Sequence, residues 1–138
     1  MQLPTLETEA DGITPIMPRG AYPHDYQEDW INLVARRLLV KMPDLTARQR
    51  RVLASIAFTR KYERIREECP QCHAEDAECP KCEGSGMISK PTARYVGRDA
   101  RNRPVVERLE FGKWRRWAIA RSGDPADITD PVRPGRPY

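Results

Sequence analysis

Histidine is nearly missing from this 138-residue chain, which has only His24 and His73. No glycine-rich phosphate loop is present either, so the sequence offers no convincing catalytic set and no P-loop nucleotide site. No apolar run approaches the eighteen residues that would read as a membrane-spanning helix. The opening Met1-Gln2-Leu3-Pro4-Thr5 has neither the basic nor the apolar stretch of a secretory leader, so the expected setting is a reducing cytoplasm. With 39% hydrophobic and 32% charged residues and 13 prolines, part of the chain is expected to stay unpacked around one small domain.

Cysteine is also scarce, but it is concentrated. All four cysteines lie in Cys69-Pro70-Gln71-Cys72 and Cys79-Pro80-Lys81-Cys82, two C-x2-C pairs separated by six residues. Each such turn can present two thiolates on one side of a metal, and two turns complete the tetrahedral shell of zinc at about 2.3 Å per bond. Proline after the first cysteine of each pair fixes one backbone angle, and Gly84 and Gly86 allow the chain to leave the site through positive φ. The expected ligands are therefore Cys69, Cys72, Cys79 and Cys82, with zinc as the cofactor. Two other readings stay open: a redox dithiol in each C-P-x-C, and structural disulfides. His73 reads as a solvated loop residue.

The formal charge of +4 is distributed in blocks. Residues 1–29 carry six acids and one base; residues 30–66 carry ten bases and two acids, a net of +8. Residues 67–89, which hold the cysteines, have six acids and one lysine, and residues 90–121 have ten bases and three acids, a net of +7. Two basic blocks therefore flank an acidic metal loop. On the second predicted helix the basic residues can be a solvated face or a surface for phosphates or an acidic protein.

The expected fold is α+β: an antiparallel helix pair joined to a four-cysteine zinc knuckle and a small β-hairpin with a short C-terminal helix. Residues 1–22, with Pro4, Pro15 and Pro18 and little periodicity, read as a disordered arm. Tyr26, Trp30, Leu33, Val34, Leu38 and Met42 give a helix closed by Pro43. Thr46-Ala47-Arg48-Gln49 is a capping box that opens a second helix running to about Glu67, so helices occupy residues 23–67. The zinc knuckle spans 69–86. Within 87–121, Met87-Ile88, Ala93–Val96 and Pro104–Leu109 read as strands, and Phe111–Ala120 as a short helix with Trp114 and Trp117 on one side, either in the core or stacked on bases. Residues 23–121 form the single zinc-stabilised domain, and residues 122–138 read as a disordered tail. On this reading the knuckle clamps the two halves, and removing zinc unfolds at least the C-terminal one.

Leu45-Thr46-Ala47-Arg48-Gln49-Arg50-Arg51-Val52-Leu53 with Ile56-Ala57 resembles the opening helix of LuxR-type and sigma-factor helix-turn-helix domains. The likeness ends with that capped helix, because Phe58-Thr59-Arg60-Lys61-Tyr62 supplies no glycine turn, and no recognition helix is assigned. Over residues 46–86, the helix Arg51–Phe58 leading into C-x2-C-His and then C-x2-C-Glu-Gly-Ser-Gly resembles the Q-type antitermination proteins of lambdoid phages. Cys79–Gly86 also resembles one repeat of a DnaJ-type cysteine-rich finger. The antitermination likeness implies a non-enzymatic transcription regulator in a bacterial host, binding DNA and RNA polymerase and taking no small-molecule substrate. Arg48, Arg50, Arg51, Arg60, Arg115 and Arg116 are the basic contacts expected for such a protein. The alternative of another class is a protein-only adaptor or inhibitor of a host protein.

Overall fold

The computed structural model describes residues 7–135. A 3-10 turn at Pro23–Tyr26 leads into α1, Gln27–Lys41, whose buried Trp30, Ile31, Val34 and Leu38 recur at three- and four-residue spacing. After a short loop comes α2, Ala47–Tyr62, opened by the capping box: the Gln49 N–H donates to Thr46 Oγ1 and the Thr46 N–H donates to Gln49 Oε1. Gln49 is itself buried, and its Nε2 donates to the Ile119 carbonyl at 3.0 Å. The cap therefore also ties the start of α2 to the C-terminal half of the chain.

The second helix stops at Tyr62, short of the expected Glu67. Residues Ile65–Glu68 form β1, which pairs antiparallel with β2, Met87–Lys90, in the register Ile65↔Lys90. The switch has visible partners. The Glu63 carbonyl accepts from Thr92 Oγ1, and the Arg64 guanidinium donates to the Ser89 hydroxyl and carbonyl. Backbone pairing with a strand 25 residues away replaces the next helical turn, a choice that local periodicity does not show.

The remaining strands are β3 (Ala93–Arg98), β4 (Pro104–Glu110), β5 (Lys113–Ile119), β6 (Pro125–Ala126) and β7 (Arg133–Pro134). They form an antiparallel sheet in the order β6-β5-β4-β3-β7. The expected hairpin of 93–109 is present, but the short helix at Phe111–Ala120 is not. Phe111 (φ 51°) and Gly112 (φ 76°) both adopt left-handed angles. That makes a two-residue mirror-image turn, whose twist matches antiparallel strands and sends Lys113–Ile119 back along β4. In a strand, residues three apart lie on opposite faces, so Trp114 and Trp117 separate.

Both chain ends also differ from expectation where they are described. The middle of the arm is packed: Ile13, Thr14 and Pro15 are buried, the Ile13 carbonyl accepts from Arg37, and the Pro15 carbonyl accepts from the Trp30 indole at 3.4 Å. Asp11 shapes this arm by accepting from the Ile13 and Thr14 N–H groups. Residues 1–6 of the expected arm lie outside the described residues. In the tail, β6 and β7 pair with opposite edges of the sheet, and the chain between them passes the β3–β4 turn. Residues 136–138 lie outside the described residues.

That turn is built on Asp99, which is fully buried. Its carboxylate accepts from the backbone N–H groups of Arg101, Arg103 and Thr129 and from the Arg103 guanidinium. Burial alone would raise the Asp99 pKa; the Arg103 N–H and guanidinium, with Thr129, overcome it and hold the group below the ordinary carboxylate value.

The core lies between the two helices and one face of the sheet. Ile13, Trp30, Val34, Leu38, Leu53 and Phe58 meet Ala93, Val106 and Ile119, with Tyr62, Tyr95 and Trp117 packed around them. Trp30 sits edge-on to Phe58, with ring centroids 5.5 Å apart. No member of this core comes from the segment between Glu63 and Thr92.

Candidate metal centre

The cysteines sit at the end of the two-stranded β1–β2 ladder. Each C-P-x-C turn is followed by two residues at positive φ: His73 (51°) and Ala74 (63°) after the first pair, Glu83 (55°) and Gly84 (81°) after the second. The two turns thus share one backbone design. Hydrogen bonds close them, with the His73 N–H donating to the Cys69 carbonyl at 2.8 Å and the Ser85 N–H to the Cys82 carbonyl at 3.1 Å. The Cys69 N–H bonds the Gly86 carbonyl at 2.8 Å and joins the knuckle to the ladder. At Gly84 a side chain has no room, because a Cβ would overlap the Ala77 carbonyl oxygen.

This folding brings the four sulfurs within 4.8 Å of one another. Cys69 Sγ lies 3.9 Å from Cys79 Sγ, and Cys72 Sγ lies 3.6 Å from Cys82 Sγ. A tetrahedron with arms of about 2.3 Å has edges of about 3.8 Å, so these separations suit four thiolates around one ion and are far longer than a disulfide bond. All four cysteines are free; Cys69, Cys79 and Cys82 are buried and Cys72 is half-buried. The four-cysteine cluster expected from the spacing is therefore assembled, and it can hold a metal ion. His73 is exposed, with Nδ1 4.0 Å from Glu68, and stays outside the thiol cluster.

The backbone also aims dipoles at the sulfurs. Hydrogen bonding from the Asp76 and Ala74 backbone and from neighbouring thiols outweighs desolvation and sets the Cys72 thiol at about 7. At Cys79 the Cys82 and Lys81 backbone groups also lower the pKa, but desolvation and the thiols of Cys72 and Cys82 push it up to about 11. One thiol ionises readily while its neighbour resists. That is the behaviour of crowded sulfurs, for which a cation removes the repulsion.

The position of the centre overturns its expected role as a clamp between two halves. Its own small cluster comprises the cysteines and Ile88, separate from the main core. The helical pair meets the sheet through α2, which lies across β3 and β4, and Arg98 donates to Asp44 in the α1–α2 loop at 2.9 and 3.3 Å. The metal hairpin is an outgrowth of a body already joined without it.

The six arginines do not form one patch. Arg48 and Arg51 are exposed on the N-terminal half of α2, where Arg51 reaches Asn32 and lies 3.5 Å from Glu28 of α1. Arg50 folds back to donate to the Leu45 carbonyl. Arg60 follows Arg51 by nine residues and is half a turn out of phase with it. It lines a cavity of about 300 Å³ with Glu9, Asp11 and Arg64, beside the Lys61–Glu9 ion pair. Arg115 and Arg116 point to opposite faces of β5; Arg115 lies over the Trp117 ring, and Arg116 donates to Glu107 at 3.1 Å.

Sequence reasoning missed two residues near Arg116. Glu107, only 4% exposed, accepts from both Arg116 and Arg94, and Arg94 stacks over Trp114 with its guanidinium carbon 4.6 Å from the ring centroid. No local signal marks them: Lys113–Ile119 reads Lys-Trp-Arg-Arg-Trp-Ala-Ile, without the period-two alternation that would show it as the strand beside Glu107. No helix among the described residues is long and apolar enough to cross a membrane. No family model matches this sequence, and no curated protein or solved structure matches it either.

Proposed function

We propose that this chain is a small zinc-stabilised transcription regulator of the antitermination kind, acting by binding DNA and bacterial RNA polymerase rather than by catalysis. Zinc is the favoured ion because four thiolates at tetrahedral spacing suit a borderline-soft cation that prefers closed four-coordination. Cys69, Cys72, Cys79 and Cys82 would hold it, with no position left for substrate, so its contribution is to stability.

The observation that carries the reading is the joint presence of this centre and two strongly basic blocks, net +8 and +7, on the body that bears it. The likeness over residues 46–86 to Q-type antitermination proteins supports the transcription role. Arg48 and Arg51, exposed together on the N-terminal half of α2, are the cations for duplex phosphates. Val40, 85% exposed, and the neighbouring Leu39 give α1 an apolar spot suited to a protein partner.

Duplex binding measured from about 50 mM salt upward tests the DNA part, since phosphate contacts weaken steeply with salt. Absence of binding at the low end removes it. A pull-down from bacterial lysate tests the rest: RNA polymerase in the bound fraction supports the regulator, and another single partner supports an adaptor or inhibitor instead.

A further inference from the structure

The face of the sheet turned away from α2 carries a second surface, independent of the metal centre and of the α2 arginines. Val105 and Ala118, paired across β4 and β5 at one end of this face, are fully buried. Toward the other end the face opens. Leu109 pairs with Trp114, Glu107 pairs with Arg116 and with Arg94, and all five side chains lie on this one side. Trp114, on a stretch of β5 paired only with β4, is 40% exposed, and Phe111 at the adjoining hairpin tip is fully exposed.

These groups are ordered rather than loose. Glu107 sits beneath the surface and accepts from both arginines, which leaves their guanidinium planes half-exposed at its rim. The Arg94 guanidinium carbon lies over the Trp114 ring, 4.6 Å from its centroid, a cation–π contact that joins the two side chains. The three charges sum to one net positive. A half-exposed indole in contact with one arginine and with a second beside it suits an unpaired base and its adjacent phosphate. A duplex, whose bases are already stacked, cannot use it.

We propose that this face, centred on Trp114 and Arg94 with Arg116 and Phe111 beside them, is a binding site for single-stranded nucleic acid. Stacking dominates there and charge contributes little. With two arginines available for phosphates, the logarithmic salt slope is shallow, about −1.4.

The test uses the full metal-loaded chain with fluorescently labelled 12-nucleotide oligo-dT and oligo-rU, the two arms separating DNA from RNA, and a duplex of equal length for comparison. The expected result is single-strand binding at about 50 mM salt with the shallow slope. Trp114→Ala should weaken it roughly fivefold or more, and Trp114→Phe should retain most of it. Arg94→Gln, which keeps a donor for Glu107, covers the case in which the alanine variant fails to fold, and it should also weaken binding. Arg48→Ala on α2 should leave single-strand binding unchanged even if it abolishes duplex binding, so failure of one site is distinguishable from failure of the other. No single-strand binding, or equal binding by wild type, Trp114→Ala and Arg94→Gln, overturns the proposal. Loss of a protein partner from Trp114→Ala without any oligonucleotide binding assigns the face to a protein and overturns it too.

Discussion

Metal removal should unfold residues 65–90 and leave the rest of the chain folded. The perturbation is a strong chelator, or Cys69→Ser. A structural zinc site contributes on the order of 10 kcal/mol of apparent binding energy, comparable to the whole stability of a domain. If the centre clamped the two halves together, its loss would abolish folding altogether. The hairpin, however, has its own cluster of the cysteines with Ile88, and none of the fourteen buried residues of the main core lies in it. A lone two-stranded ladder of four pairs is marginal in water, so it should melt once the ion is gone. The body, joined through Gln49–Ile119 and Arg98–Asp44, should then change by no more than roughly 0.5 kcal/mol, a melting shift of a few degrees. Amide hydrogen exchange with and without chelator reads this directly. Protection should vanish over 65–90 and persist over α1, α2 and β3–β5. Trp30, Trp114 and Trp117 all lie outside the hairpin, so tryptophan emission should hardly move. Collapse of protection in β3–β5 would refute the reasoning and restore the clamp.

Other changes probe single features. Ala74 holds the left-handed angle that Gly84 holds in the second turn, so Ala74→Gly should relieve roughly 1 kcal/mol and tighten metal binding about fivefold, measured by chelator competition. Gly84→Ala should weaken the same affinity by more than tenfold, because the strained angle and the overlap with the Ala77 carbonyl act together. Asp99 has a folded-state pKa below its free value of 3.8, so its stabilisation is complete above that value and lost as pH falls through the folded pKa. Asp99→Asn should therefore cost about 3 kcal/mol at neutral pH, by leaving Arg103 without its buried partner, and should flatten the acid limb of a stability–pH curve below about pH 4. Gln49→Ala keeps the Thr46 cap on the backbone N–H of position 49 but leaves the Thr46 N–H and the Ile119 carbonyl without their side-chain partner; denaturant melts should show a loss of about 2–4 kcal/mol, whereas a loss below about 0.5 kcal/mol would mean water replaces both bonds.

What the sequence determined by itself was the chemistry that depends on short spacing. Two C-x2-C turns six residues apart leave their sulfurs little choice but to meet, and Thr46 and Gln49, three apart, can cap only a helix that opens at Ala47. The same locality made α1 and the start of α2 legible. Tertiary structure decided everything that needed a distant partner. The ladder to β2 ended α2 early, and the pairing with β4 turned Phe111–Ala120 from an apparent helix into a strand. Trp30 and Arg37 gathered Ile13 and Pro15 from an arm without periodicity. The metal loop stands between two halves in the chain, yet in space those halves meet without it. Order along the sequence says which segments are linked, and only packing says which of them hold each other up.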